Sequence, residues 1–198
     1  MRTFVLRARK CSTDADRLLK QRGTDAHPEI IAHTVSNAFY VSQGMRRDVE
    51  VFIVFDSTAD FPRTLHLSAN DDVSFPGFDE SSILTVVSNA LHQGRSIRRD
   101  EALPVASGIT VLGYGFEALM KRFIGNRPVY LLEPEGEQAS TLSDLSNPVF
   151  ILSDHLDMPK KTVKGLERKG VALLSLGSQM LFASHCVTLL HYELDRRV

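Results

Sequence analysis

Pro128-Val129-Tyr130-Leu131-Leu132, Pro148-Val149-Phe150-Ile151-Leu152 and Gly170-Val171-Ala172-Leu173-Leu174 are three short apolar runs, each stopping at a polar loop. Their length, β-branched and aromatic content, and proline or glycine entries predict buried strands. The first two echo one another, Asn126-Arg127-Pro128-Val129 against Asn147-Pro148-Val149, which predicts neighbouring strands of one orientation. Similar entry turns explain that echo more simply than a duplication. Parallel strands that end at adjacent loops leave a ligand crevice at their carboxyl edge. The loops here are residues 133–137, 153–157 and 175–178; two are acidic and two contain glycine. Backbone groups at strand ends can pair with a purine edge, and carboxylates suit a cationic or hydroxyl-bearing ligand. Composition alone favours plain solvated turns. Neither GxGxxG nor GxxxxGK[ST] occurs, which argues against NAD and ATP.

Outward from this region, strands alternate with helices. Residues 4–8 and 49–55 read as buried strands, residues 64–68 as an alternating, half-exposed strand, and residues 109–112 as a further short one. Pro28 opens a helix with Ile30, Ile31, Thr34, Val35, Ala38, Phe39 and Val41 on one face, and Gly44 stops it. Ser81 or Ser82 caps a helix through Leu91. Residues 116–123, closed by Gly125, and residues 159–169, ended by Gly170, complete the helices. Residues 12–27 and 70–79 read as polar connectors. This alternation predicts an α/β fold with a largely parallel sheet.

The chain has 198 residues, room for one sizeable core, with 43% apolar and 24% charged residues. Its apolar runs are too short for a membrane span, and its amino terminus reads as a strand rather than a signal peptide. Two cysteines, Cys11 and Cys186, predict a reducing compartment, hence the cytoplasm, and no disulfide framework. A formal charge of −1 excludes a globally basic nucleic-acid binder but not a local basic face. Such faces are available at Arg7-Ala8-Arg9-Lys10, Arg46-Arg47, residues 95–99 and Lys160-Lys161 with Lys164; solvated surfaces are the ordinary account of them. An Asp at a strand start beside arginines, Arg46-Arg47-Asp48, can orient a guanidinium or bind a base edge.

His185 and Cys186 are neighbours on a helix and cannot face each other as a dyad. A Cys near a helix start can have a depressed pKa, though a buried structural thiol is the default. His155, His185, Cys186 and His191 lack paired metal-ligand spacing, so no metal is expected.

Four patterns together carry a resemblance: residues 4–10; Val35-Ser36-Asn37-Ala38-Phe39 with Arg46-Arg47-Asp48-Val49; residues 147–155; and Ser175-Leu176-Gly177 through Ala183-Ser184-His185-Cys186 to Glu193-Leu194-Asp195. The chain resembles, nearly end to end, the tRNA pseudouridine N1-methyltransferase family of the SPOUT superfamily. The resemblance implies one SPOUT methyltransferase domain over residues 1–198. Its parallel α/β sheet would be flanked by helices, with a C-terminal deep trefoil knot, a topology otherwise nearly absent from proteins. It further implies S-adenosyl-L-methionine as cofactor, RNA (tRNA) as partner and a homodimer. Leu132 would hold the cofactor at the first knot loop and Ser153 at the second. Leu176, Gly177, Ser178, Gln179, Met180 and Leu181 would wrap the adenine, with Cys186 closing the site. Ser153 stands where the family usually has Gly and Ser178 where it often has Pro; both are small changes at backbone-mediated contacts.

Methyl transfer to N1 of pseudouridine needs the acceptor nitrogen in line with the sulfur–carbon bond and rid of its proton. Asp48 is the candidate to contact that edge, with Arg46 fixing it or a phosphate; Cys186 would line the cofactor without acting as a nucleophile. Two alternatives remain: the same fold and cofactor acting on rRNA or another base, and a non-enzymatic RNA-binding protein that kept the knot.

Overall fold

The computed structural model describes residues 1–57, 61–142 and 145–197. The chain runs β1 (Arg2–Ala8), α1 (Ala15–Lys20), α2 (Ala26–Phe39), β2 (Tyr40–Val41), β3 (Gly44–Met45), β4 (Val49–Phe55), β5 (Arg63–Ser68) and α3 (Glu80–Gln93). It continues with β6 (Ala102–Ala106), β7 (Ile109–Leu112), α4 (Phe116–Phe123), β8 (Val129–Gln138), β9 (Val149–Ser153), α5 (Lys160–Glu167), β10 (Ala172–Ser175) and α6 (Ala183–Asp195).

The main sheet has the order β10-β8-β9-β1-β4-β5-β7-β6. From β10 to β4 every pairing is parallel; β5, β7 and β6 extend it antiparallel. The two echoing runs pair directly, Val129 with Val149 and Tyr130 with Phe150, as their similar entries predict. Both faces are covered. Phe4, Leu6, Val51, Ile53 and Phe150 face a core closed by α1, α2, α3 and α6, while Val5, Phe52, Val54, Leu131 and Ile151 face α4 and α5. Alternate residues of one strand thus enter two cores, which is why these strands read as continuous apolar runs. Among the described residues no helix is long and apolar enough to cross a membrane.

The structure corrects several expectations. Residues 64–68 are not half exposed: Thr64, Leu65, Leu67 and Ser68 are buried, and only His66 keeps partial exposure. Thr64 is satisfied inside by donating to the Tyr114 carbonyl at 2.7 Å, so its polarity does not mean water. The helix after Pro28 begins earlier, capped by Asp25, whose carboxylate accepts from His27 N. It ends at Phe39; Val41 and Gly44 belong to the β2–β3 hairpin. α3 is capped by Asp79, not by Ser81 or Ser82; the Asp79 carboxylate accepts from the Ser82 amide at 3.0 Å and from its hydroxyl at 2.5 Å.

One irregularity shapes the carboxyl edge. β10 pairs Ala172 with Tyr130 and Leu173 with Leu131, then jumps to Leu174 with Glu137 and Ser175 with Gln138. Residues 132–136 therefore leave the ladder in the middle of one strand, where residues 133–137 were expected as a loop, and Glu137 is back in the pairing. Gly136 makes this close passage possible: a Cβ there would lie 2.4 Å from Leu174 N and 2.5 Å from the Leu173 carbonyl carbon. Beyond α6, Arg197 donates to the carbonyls of Ala139 at 2.7 Å and Leu142 at 2.5 Å, fastening the tail to the segment just after β8.

Candidate cofactor and RNA-methylation site

The parallel register places the ends of β8's first half, β9 and β10 at one edge: Arg7 of β1 is level with Ser153, while Arg2 is level with Val49. Leu132, Leu176 and Cys186 are half-buried, and each packs against the core closed by α1, α2, α3 and α6. Ser153 ends β9 at that edge. Gly177 has φ +123°, a backbone state that side chains resist. The Ser175 hydroxyl accepts from the Gly177 amide at 3.2 Å and lies 3.2 Å from its carbonyl, which tightens the turn. Ser178, Gln179 and Met180 are exposed; Leu181 is half-buried, its carbonyl 4.0 Å from Cys186 Sγ.

Cys186 follows the default of a buried thiol rather than that of an activated one. Burial raises its thiol to about 11, and Cys11 is raised to about 12, first by burial and then by Asp154 and Asp25. Cys186 is therefore a neutral wall, not a thiolate.

Glu133, next to Leu132, has a pKa raised by burial and then by the negative charges of Asp157, Glu135 and Glu167. Carboxylates gathered around Glu133 are suited to a cation. Beside it, Arg7 pairs with Asp56 at 2.6 Å and lies over the Phe116 ring, 4.3 Å from its centroid. Arg9 donates to the Asp157 carbonyl at 2.7 Å. That bond brings the Arg7–Lys10 segment against the turn leading into α5, with exposed Lys160, Lys161 and Lys164. Two of the basic clusters thus adjoin the candidate crevice.

Asp48 and Arg46 do not reach it within one chain. Asp48 precedes β4 at the amino edge, its carboxylate 3.0 Å from Arg2 Nε, and Arg46 pairs with Asp195 at 2.6 Å. The strand direction separates them from Ser153 by the full length of β1. Glu133, Asp154 and His27 were not singled out as site candidates in the sequence. The first two were quoted only within loops and patterns, and His27 was placed in a polar connector.

The family model described as "Putative SAM-dependent RNA methyltransferase" matches residues 1–198. A protein of Vibrio vulnificus named "Putative pseudouridine methyltransferase" is 44% identical over 98% of this chain and 98% of its own. A like-named protein of Alcanivorax borkumensis is 43% identical over 98% of both. Among solved structures, Archaeoglobus fulgidus Nep1 bound to S-adenosylhomocysteine superposes with a TM-score of 0.66 at 13% identity, covering 98% of this chain and 97% of that one. That likeness establishes a shared fold. A family model that spans the whole chain, with relatives 44% and 42% identical along it, leads to one conclusion: the chain belongs to the family of S-adenosylmethionine-dependent RNA methyltransferases whose relatives are named pseudouridine methyltransferases.

Proposed function

We propose that the protein methylates N1 of pseudouridine in tRNA. The observation that carries the reading is that the parallel strands β8, β9 and β10 end at one edge, where Glu133 and its acidic neighbours follow Leu132. These residues fit the cofactor. Leu132, Leu176 and Cys186 would sandwich an adenine, backbone groups of residues 176–181 would meet its edge, and the carboxylates would attract the cationic end. Bound S-adenosylmethionine supplies a methyl group already activated on a sulfonium.

The protein's remaining task is to place the acceptor N1 and accept its proton. Glu133 is the carboxylate for this, since its raised pKa makes it a stronger base than an exposed glutamate. Arg9, Lys10 and the lysines of α5 would track the RNA backbone.

A threaded tail is supported by three features: β10 pairs in turn with the first and second halves of β8, Gly136 permits the approach, and Arg197 ties the end of the chain to Ala139 and Leu142. We propose that residues 1–198 act as one domain with this trefoil knot, in the cytoplasm. The chain would pair as a homodimer through the exposed Met180, Phe182, Leu189 and Tyr192. Within one chain Asp48 and Arg46 lie at the opposite edge and take no part in this reading.

The test is methyl transfer to a tRNA transcript with and without pseudouridine, read by nucleoside mass spectrometry. N1-methylpseudouridine formed only on the modified transcript supports the reading. Methylation of rRNA or of another base moves the substrate, and cofactor binding without turnover on any RNA leaves a binding protein.

A further inference from the structure

We propose that the same edge carries a second site, for a divalent transition-metal ion, built by His27, Asp154 and His155. One donor atom from each residue lies within 4.8 Å of the other two. His27 is buried in the first turn of α2, and its Nδ1 stands 3.1 Å from Asp154 Oδ2. Yet that nitrogen has no hydrogen-bond partner among the described residues: the carboxylate is close but off the nitrogen's bonding direction. Two donors on one tetrahedral ion, each about 2.0–2.2 Å from it, sit roughly 3.3–3.6 Å apart, with neither aimed at the other. The pair needs only a small adjustment to meet that relation.

The Asp154 side chain is 1% exposed. It is held in place by two backbone donors, Leu156 N at 2.8 Å to Oδ1 and Arg9 N at 3.1 Å to Oδ2. Backbone donors that orient a ligating carboxylate are a usual feature of metal sites. The exposed His155 ring, centred 4.4 Å from the His27 ring and tilted 54° to it, supplies the third donor and leaves an outer coordination position facing solvent. Two imidazoles and one carboxylate suit zinc, cobalt or nickel; magnesium and calcium prefer all-oxygen sets. The ion would pin residues 153–157, and so Ser153 at the crevice, to the amino end of α2. No linear motif announces the site, because His27 comes from a different part of the chain from the Asp154-His155 pair.

The test uses the full chain without an affinity tag, stripped by chelator and titrated with Zn²⁺ and Co²⁺. One ion bound per chain, with the visible absorption of tetrahedral Co²⁺, is expected. His155→Ala removes an exposed ring, so its fold in chelator should match the parent. Its affinity should fall by more than the about 10- to 100-fold that loss of an outer-shell partner costs. Asp154→Asn should weaken binding in the same way. Absence of saturable binding to the folded parent overturns the proposal, as does binding that survives both substitutions. Calorimetry of S-adenosylhomocysteine on the same samples separates this from the cofactor reading, since either site can fail alone.

Discussion

The two ends of the parallel strands are built differently. At the amino edge charges meet partners inside the chain: Arg2 holds Asp48 at 3.0 Å and Asp195 at 2.6 Å, and Arg46 holds Asp195 at 2.6 Å. Glu50 accepts from Thr3 at 2.5 Å and Arg127 at 2.9 Å, with His66 Nε2 at 3.0 Å. Burial pushes the Glu50 carboxyl up, but the hydrogen bonds from His66, Thr3 and Arg127 outweigh it and hold the pKa at about 2. At the carboxyl edge, His27 Nδ1 and Glu29 Oε2 are buried with no hydrogen-bond partner among the described residues. There too Glu133 is pushed towards protonation, and Met180 and Phe182 face outward. An edge whose polar groups are internally matched holds the sheet together, while one with unmatched groups is shaped to meet something else.

The largest expected break in this contrast comes from Gly136→Val. Its side chain would enter the backbone of Leu173 and Leu174. Overpacking against backbone that cannot yield should cost about 3 kcal/mol in urea denaturation and abolish S-adenosylhomocysteine binding together. Arg127→Met removes one partner of the largely buried Glu50. It should cost about 3 kcal/mol while leaving cofactor affinity unchanged, because the damage is confined to the amino edge.

His191 sharpens the contrast through pH. Its Nε2 bonds the Ala38 carbonyl at 3.0 Å and its Nδ1 faces Arg2 at 3.0 Å, so the ring is neutral. Burial, then Arg46 and Arg2, lower its pKa from 6.5 to about 4. Above pH 6.5 the group contributes no pH dependence. As pH falls from 6.5 towards 4 the unfolded chain takes a proton that the folded one refuses, and stability should drop by about 3 kcal/mol. His191→Gln should flatten that slope in denaturation curves recorded across this range. Glu50 adds its own loss only below its ordinary value of 4.5. The smallest effect is expected from Asp48→Ala. A half-exposed ion pair should cost about 1 kcal/mol or less, and methylation should continue at the parental rate. A fall in rate with cofactor affinity intact would instead bring a partner's copy of Asp48 to the acceptor.

The parallel half of the sheet was legible because its strands are buried on both faces, which writes unbroken apolar runs into the sequence. β6 was not: Ala102–Ala106 is an exposed edge strand carrying Pro104, with no apolar period to betray it. The second half of β8 hid behind Glu133, Glu135 and Glu137, since acidic residues signal loops even where backbone pairing resumes. The loops assigned to the cofactor could be named from resemblance, and the parallel register sets the ends of their strands at one edge. The charged residues were harder. Asp48 and Arg46 look reactive as a string, yet in space they brace α6 against β1. His27 and Asp154 look ordinary as a string and meet only after folding.

Calorimetric titration of S-adenosylhomocysteine into the parent, Gly177→Val and Asp48→Ala tests the assignment of the two edges most directly. One molecule should bind per chain, with affinity at least about tenfold weaker in Gly177→Val, equivalent to about 1.4 kcal/mol, and unchanged in Asp48→Ala. Unaltered binding by Gly177→Val, or loss of binding in Asp48→Ala, would contradict a cofactor site at the carboxyl edge.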